Sequence, residues 1–254
     1  FRPAYREIIN LKKLLPNIPI IALTATATEK VRQDICKNLE LKAPIQIIES
    51  FDRKNITIQI KKTNDKLTEI SNALEPKGTP GVVYVGTRKS AEVLSIKLNN
   101  LGHNTTFFHG ASNNKKLKIQ SWMSGSTAVM IATTAFGMGI NKSNVKRIVH
   151  ANLPFSLEQY YQEIGRSGRD GRNSISTLIY EDGDDKKLWD LILSNIPPGE
   201  IIEKTYKHLC HYFNIGYGEL PCDVLEFNLV FFCKRYSLKS KTTYHVLELL
   251  ERAQ

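Results

Sequence analysis

Short apolar runs alternate with stretches of near-helical hydrophobic spacing from about residue 17 to 182, the pattern of a parallel sheet covered on both faces. The runs predict strands over Pro19–Leu23, Thr57–Lys61, Gly81–Val85, Thr105–His109, Ala128–Thr133, Arg147–Ala151 and Ser176–Tyr180. Between them, Ala91, Val93, Leu94, Leu98 and Leu101 give Lys89–Leu101 a helical face, and Gly102 stands where a glycine stops a helix. Asn114–Met123 and Ser156–Ile164 carry the same signal. Polar or glycine-rich loops follow the strands' carboxyl ends, where open α/β sheets place ligands, so function is expected there. Ala43-Pro44 and Ser50–Asn55 break the pattern between an incomplete first unit and a fuller second one, and a further break falls at Glu181–Asp185. Beyond it, Lys186–Asn195, Glu200–Phe213, Val224–Arg235 and Lys241–Arg252 read as helices, with the turn Tyr236–Ser240 between the last two. That pair predicts a helix-turn-helix or winged-helix unit, or more blandly a helical hairpin.

The 254 residues, 41% hydrophobic and 24% charged, suit one large α/β domain or a domain with fragments. No apolar run approaches the roughly 20 residues a membrane span needs. The formal charge of +10 points to a polyanion such as nucleic acid or to an anionic membrane face, although solubility alone accounts for such an excess. Its placement narrows the choice of surface: residues 1–185 hold 26 basic and 17 acidic side chains, and 186–254 hold 9 and 8. Cys36, Cys210, Cys222 and Cys233 form no C-x-x-C pair; they read as reduced thiols of a cytoplasmic protein. The chain opens at Phe1 without a signal core and is expected to be a piece of something longer.

The most informative stretch is Gln159-Tyr-Tyr-Gln-Glu-Ile-Gly-Arg-Ser-Gly-Arg-Asp-Gly171. Arg166 and Arg169, three apart and interleaved with glycines, would share one helical face and let it approach a phosphate chain closely. A salt-bridged helix end with Asp170 as partner is the plain alternative. The thirteen-residue pattern resembles the sixth motif of superfamily 2 helicases, in the form found in RecQ DNA helicases. Other stretches agree in order. Ala22-Leu-Thr-Ala-Thr-Ala27 resembles the third motif, Ser50-Phe-Asp-Arg-Lys-Asn-Ile56 the stretch linking two motor lobes, and Val83-Tyr-Val-Gly-Thr-Arg88 the fourth motif. Ala132-Thr-Thr-Ala-Phe-Gly-Met-Gly-Ile-Asn-Lys142 resembles the fifth, and Phe108-His-Gly110 with Asn113–Lys118 the segment before it.

The resemblance implies a RecA-like, P-loop NTPase-type parallel sheet followed by a small helical, winged-helix-like region. Residues 1–49 would end the first lobe, 50–185 form the second, and 186–254 be the helical region. It implies an ATP-dependent 3′→5′ DNA helicase acting in replication, recombination and repair, nucleoid-associated in the cytoplasm, with single-stranded and duplex DNA as partners. Arg169 would be the catalytic arginine facing charge that develops on the γ-phosphate, with Arg166 its neighbour and Gln162 sensing the nucleotide. A rigid, always-ionised fork suits charge spread over phosphate oxygens. Gly139 and Asn141 would line the ribose side of ATP. Thr87, Arg88, His109, Thr133 and Thr134 would hold the phosphates of one strand, and such contacts carry position rather than base order; for the threonines, helix capping is the routine alternative. Lys239 and Lys241 would meet a duplex backbone. Thr24 and Thr26 would couple DNA contacts to hydrolysis, their alternative being a turn. Phe1 and Arg2 match the end of an aromatic-rich DNA loop.

The sequence departs from the pattern in two respects. It contains no G-x-x-x-x-G-K-[ST] and no D-E-x-H, so the phosphate cradle and the Mg²⁺ carboxylates would lie upstream, and this chain alone should not hydrolyse ATP. The closely spaced cysteines of the family's zinc module are also missing: Cys210, Cys222 and Cys233 stand 12 and 11 apart, with His208 and His211 nearby, and no metal is expected. His103, His150 and His245 suit core or surface roles, Tyr160 and Tyr161 packing, and Trp122 and Trp189 core anchors. An RNA helicase of superfamily 2, a non-catalytic nucleic-acid-binding module and a flavodoxin-like enzyme remain the alternatives.

Overall fold

The computed structural model describes residues 8–15, 17–24, 26–50, 52–137, 140–193, 196–219 and 224–252. They fall into two compact units that part between Asp182 and Gly183. The first holds α1 (Ile8–Leu14), α2 (Glu29–Asn38), β1 (Ile56–Lys62), α3 (Lys66–Ala73), β2 (Gly81–Tyr84), α4 (Arg88–Asn100), β3 (Thr105–Phe108), α5 (Lys115–Ser124), β4 (Val129–Ala132), β5 (Arg147–His150), α6 (Leu157–Ile164) and β6 (Ser174–Tyr180). Its six strands make one sheet in the order β1-β6-β5-β2-β4-β3. Every pairing is parallel, as the alternation of strands and helices predicts.

Successive residues of a strand face opposite sides, so an apolar run such as Val82–Val85 feeds two cores. Val83 and Val85 pack with Ile70 and Leu74 of the α3 segment and with Ala91 and Leu98 of α4. Val82 and Tyr84 pack with Trp122 of α5, Phe136 and Ile164 of α6. Trp122 is the core anchor expected, its indole N–H donating to the Gly81 carbonyl at 3.1 Å. Each such apolar side chain, fully buried, contributes about 1.5–3 kcal/mol. Local chemistry sets the helix ends: Asp65, Thr87 and Ser156 cap α3, α4 and α6 through their side-chain oxygens. Gly102, at φ +83°, follows α4 in the left-handed conformation that lets its own N–H and that of His103 return to helix carbonyls.

Three expectations are corrected. Pro19–Leu23 forms no strand: Ile21 and Leu23 are 81% and 90% exposed, because a β pattern supplies a strand only where a neighbour takes its backbone groups, and the described residues offer none. Helices α1, α2 and α3 were not specified from the pattern. In the second unit, α7 (Asp184–Leu193), α8 (Gly199–Phe213) and α10 (Ser240–Arg252) match the predicted spans closely, but α9 runs only over Leu229–Arg235. Asn228 caps α9 by accepting from the Phe231 N–H at 3.0 Å and so delays its start beyond Val224.

The second unit's core gathers Thr205 and Cys210 of α8, Phe232 and Cys233 of α9, and Thr243 and Val246 of α10, all buried. Tyr212 meets Phe232 edge-on at 5.4 Å, a favoured aromatic geometry. Trp189, expected as an anchor, is 61% exposed: it lies on the outer face of α7. The α9–turn–α10 pair is present, and the described residues of this unit contain only helices among their regular elements.

Candidate active site

Helix α6 stops at Ile164 with Gly165 as its C-cap, so the sixth-motif arginines do not share a helical face as their spacing suggests. They stand on the turn that follows, which Gly168 bends in the left-handed region at φ +58°. Glycine takes that conformation without the steric cost a Cβ brings. The turn is tied on two sides. The Gly168 N–H donates to the Val145 carbonyl at 3.0 Å, while the Gly168 carbonyl accepts from Asn55 Nδ2 at 2.7 Å and Arg53 Nη2 at 3.0 Å. Asp170 is not the arginines' partner: Lys146 Nζ holds both its oxygens, at 3.0 and 2.8 Å, and keeps its carboxyl below the usual range.

Arg166 Nη1 donates to the Gly137 carbonyl at 2.5 Å, and a Cβ on Gly137 would fall 2.2 Å from Arg166 Nη2, so only glycine admits the guanidinium there. Arg169 Nη1 donates to Asn141 Oδ1 at 2.9 Å and to the Ile140 carbonyl at 3.3 Å. Burial, followed by the Arg166 and Arg53 cations, lowers the pKa of Arg169, yet a guanidinium stays charged at any physiological pH. Asn141, expected on the ribose side, thus has its amide oxygen engaged by Arg169.

A cavity of about 600 Å³ opens in front of this turn, lined by Thr26, Arg53, Tyr161, Gln162, Arg166 and Arg169 among others. Gln162 Nε2 donates to Thr26 Oγ1 at 3.3 Å, joining the third-motif and sixth-motif stretches at its rim. Thr24 Oγ1 accepts from the Thr26 N–H at 3.3 Å, the local turn foreseen as its alternative role. Three guanidiniums and a hydroxyl face one concave space, and neither Arg166 nor Arg169 has an acidic partner among the described residues. The arrangement suits a polyanionic group such as a chain of phosphates.

All strands run one way and α6 returns antiparallel to them, so this cavity lies at their amino-terminal edge. The rule that ligands sit at carboxyl ends therefore misplaces it. The other candidates do follow carboxyl ends. Thr87 and Arg88 come after β2 and are exposed; Thr133 and Thr134 come after β4, half-buried and exposed. Thr87 Oγ1 is engaged as the α4 cap, accepting from the Ser90 N–H at 3.1 Å. His109, after β3, is 3% exposed and its Nε2 meets Glu92 Oε1 at 2.9 Å. Lys239 and Lys241 are exposed at the start of α10, in the second unit. Gly139, Phe1, Arg2 and Cys222 lie outside the described residues. His208 stacks on Tyr236 at 4.3 Å and His211 Nδ1 meets the Tyr236 hydroxyl at 3.1 Å; the described residues hold no cluster of three metal-ligating side chains.

Sequence reasoning gave no role to Arg53, Asn55, Gly137 or Glu163. The Asn55–Gly168 contact spans 113 positions, beyond any local pattern. Glu163, 4% exposed, accepts from His150 Nε2 at 2.8 Å and Gln159 Nε2 at 3.1 Å. For Gly137 the signal was its place in the glycine pair inside the fifth-motif resemblance.

A parallel α/β lobe that brings an arginine turn, a glutamine and a threonine to one cationic cavity is the architecture of a RecA-like helicase lobe. Residues 62–171 match the family model described as helicase conserved C-terminal domain. The chain is 40% identical over 197 residues to the ATP-dependent helicase SGS1 of Saccharomyces cerevisiae, covering 76% of this chain and 14% of that protein. It is 39% identical over 196 residues to the ATP-dependent DNA helicase RecQ of Pasteurella multocida, covering 76% and 31%. The chain thus spans well under half the length of the curated relatives it matches. Among solved structures, S. cerevisiae Dbp5 bound to RNA and ADP BeF3 shares the fold at a TM-score of 0.59 and 23% identity, covering 76% of this chain and 53% of that one. The chain belongs to the RecQ family of helicases, as a part of such a protein. No helix among the described residues is long and apolar enough to cross a membrane.

Proposed function

We propose that this chain supplies the second motor lobe of an ATP-dependent, 3′→5′ DNA helicase of RecQ type, acting in recombination and repair in the cytoplasm at the nucleoid. The observation that carries it is the convergence of Arg166, Arg169, Gln162 and Thr26 on one cationic cavity. The residues fit a nucleoside triphosphate at its phosphate end. Arg169 is the catalytic arginine that meets charge developing on the terminal phosphoryl group, Arg166 steadies the neighbouring oxygens, and Gln162 reports occupancy to Thr26. ATP would supply the free energy, and Mg²⁺ bound with it would neutralise part of its phosphate charge, its carboxylate ligands coming from the first lobe. Residues 50–185 are read as the second lobe, 1–49 as the end of the first, and 186–254 as the helical region that follows. The exposure of Ile21, Leu23, Ile45, Ile47 and Ile48, at 81%, 90%, 93%, 83% and 61%, supports the reading of 1–49, since so much apolar surface suits a contact with further protein. Thr87, Arg88, Thr133 and Thr134, on the opposite edge, would track the phosphates of a single strand, with Lys239 and Lys241 on duplex DNA.

The test is DNA-stimulated ATP turnover and strand separation by the full-length gene product beside Arg169→Ala, at fixed low salt. A loss of about 10³-fold or more in turnover with ATP and DNA still bound is expected. Turnover unimpaired in the variant refutes the role of Arg169. Absence of ATP turnover in the wild type favours a non-catalytic binding module, and unwinding of RNA in preference to DNA favours an RNA helicase.

A further inference from the structure

We propose that Asn55 is a positioning residue for Arg169, clamping the Gly168 turn from the point where β1 begins. The inference rests on the reading of Arg169 given above. Asn55 is anchored by the sheet itself: its carbonyl accepts from the Ser174 N–H at 2.9 Å, where Ile56 and Ser174 open the β1–β6 ladder. From that fixed base its Nδ2 makes two bonds, to the Gly168 carbonyl at 2.7 Å and to the Arg172 carbonyl at 3.1 Å. An amide nitrogen has two hydrogens, and both are spent on carbonyls that bracket Arg169 in the chain.

The fit is close. A Cβ on Gly168 would fall 2.4 Å from Asn55 Nδ2 and 2.9 Å from Ser174 Oγ, so glycine at 168 serves this approach as well as the left-handed turn. The turn's backbone bonds, Gly168 N–H to Val145 and Asp170 N–H to Ser143 at 3.0 and 3.2 Å, secure it from the β5 side. From the β1 side it is gripped by Asn55 and by Arg53, and Arg53 also lines the cavity, so Asn55 is the cleaner probe. Arg169 itself is exposed and takes its aim from the turn that carries it together with the Asn141 and Ile140 oxygens that its Nη1 reaches. Asn55 closes the stretch Ser50–Asn55, so movement of that stretch reaches the arginine's turn through Asn55 and Arg53, and a misplacement near 1 Å costs about 100-fold in turnover.

The experiment compares the full-length gene product with Asn55→Ala, the near-isosteric Asn55→Asp that turns the donor into an acceptor, Arg169→Ala, and Asn55→Ala/Arg169→Ala. ATP turnover is read as kcat and KM separately, and amide hydrogen exchange is followed over residues 165–174 and over β2 and β4. The expected result is faster exchange confined to 165–174 in both Asn55 variants. With it, kcat falls about 10- to 100-fold at unchanged KM for ATP, with no further loss when Asn55→Ala is added to Arg169→Ala. Unchanged exchange in the turn overturns the clamp. Faster exchange with wild-type kcat, while Arg169→Ala is impaired, overturns its link to the arginine. An unimpaired Arg169→Ala brings down the arginine reading and this proposal with it, the exchange data then showing separately whether the clamp exists. Exchange that rises equally in β2 and β4 assigns Asn55 to general stability and also overturns the proposal.

Discussion

Glu163 lies between Gln162 and Arg166 in sequence, yet it points into the lobe, and its removal should cost more stability than that of the exposed or half-buried polar residues of α6. Its side chain is 6% exposed and that of His150 is 2% exposed. His150 is closed in by Tyr84 at 5.2 Å and Tyr160 at 4.9 Å, so its Nε2–H has no route to water once the carboxylate is gone. Gln159 is half-buried and can turn to solvent. The cost of Glu163→Ala is therefore carried by one stranded buried donor and the space left behind, about 3–5 kcal/mol. Glu163→Gln keeps an acceptor for the ring and should cost about 1–2 kcal/mol. The assay is urea unfolding followed by tryptophan fluorescence in a Trp189→Phe background. The chain has two tryptophans, so Trp122, 1% exposed, then reports on its own unit alone. The signature is a lower midpoint at constant slope. Replacing the pair together, His150→Phe with Glu163→Leu, should recover most of the loss. A Glu163→Ala protein within about 1 kcal/mol of wild type refutes the reasoning.

Two further outcomes follow from particular contacts. Thr87→Ala removes the α4 cap and should lower stability by about 1 kcal/mol while Thr87→Ser leaves it unchanged; a loss of single-strand affinity beyond what Thr87→Ser shows would add a phosphate contact to the cap. Burial holds His103 below its ordinary value, and its Nε2 lies 2.8 Å from Ser71 Oγ. The folded state thus resists its protonation, so the stability it contributes is present above the ordinary histidine range and is lost as pH falls through the lowered one. Urea midpoints at about pH 7.5 and about pH 5 should differ less in His103→Gln than in wild type, and an equal difference would remove His103 from the account.

Much of the lobe was legible because burial on two faces writes itself into sequence as short unbroken apolar runs. β2, β4 and β5 are runs of that kind, and the helices between them carry 3.6-residue periodicity and polar caps at Thr87 and Ser156. The same logic misled at Pro19–Leu23, where the run is real but no neighbouring strand stands among the described residues, and at Trp189, because residue type says nothing of which face a helix turns inward. At the site, the sequence by itself determined that two arginines are set among glycines, a combination suited to a close, anionic contact, since guanidinium charge and the absence of a Cβ are properties of the residues alone. Only the tertiary structure decided where they stand. It placed them on a turn rather than on a helix, at the amino-terminal edge of the sheet because α6 runs back against the strands. It also paired Asp170 with Lys146 instead of with either arginine, set His109 against Glu92, and brought Asn55 to Gly168. Those outcomes depend on which distant carbonyl or carboxylate arrives within about 3 Å of a donor, a quantity set by how the layers pack and by no pattern along the chain.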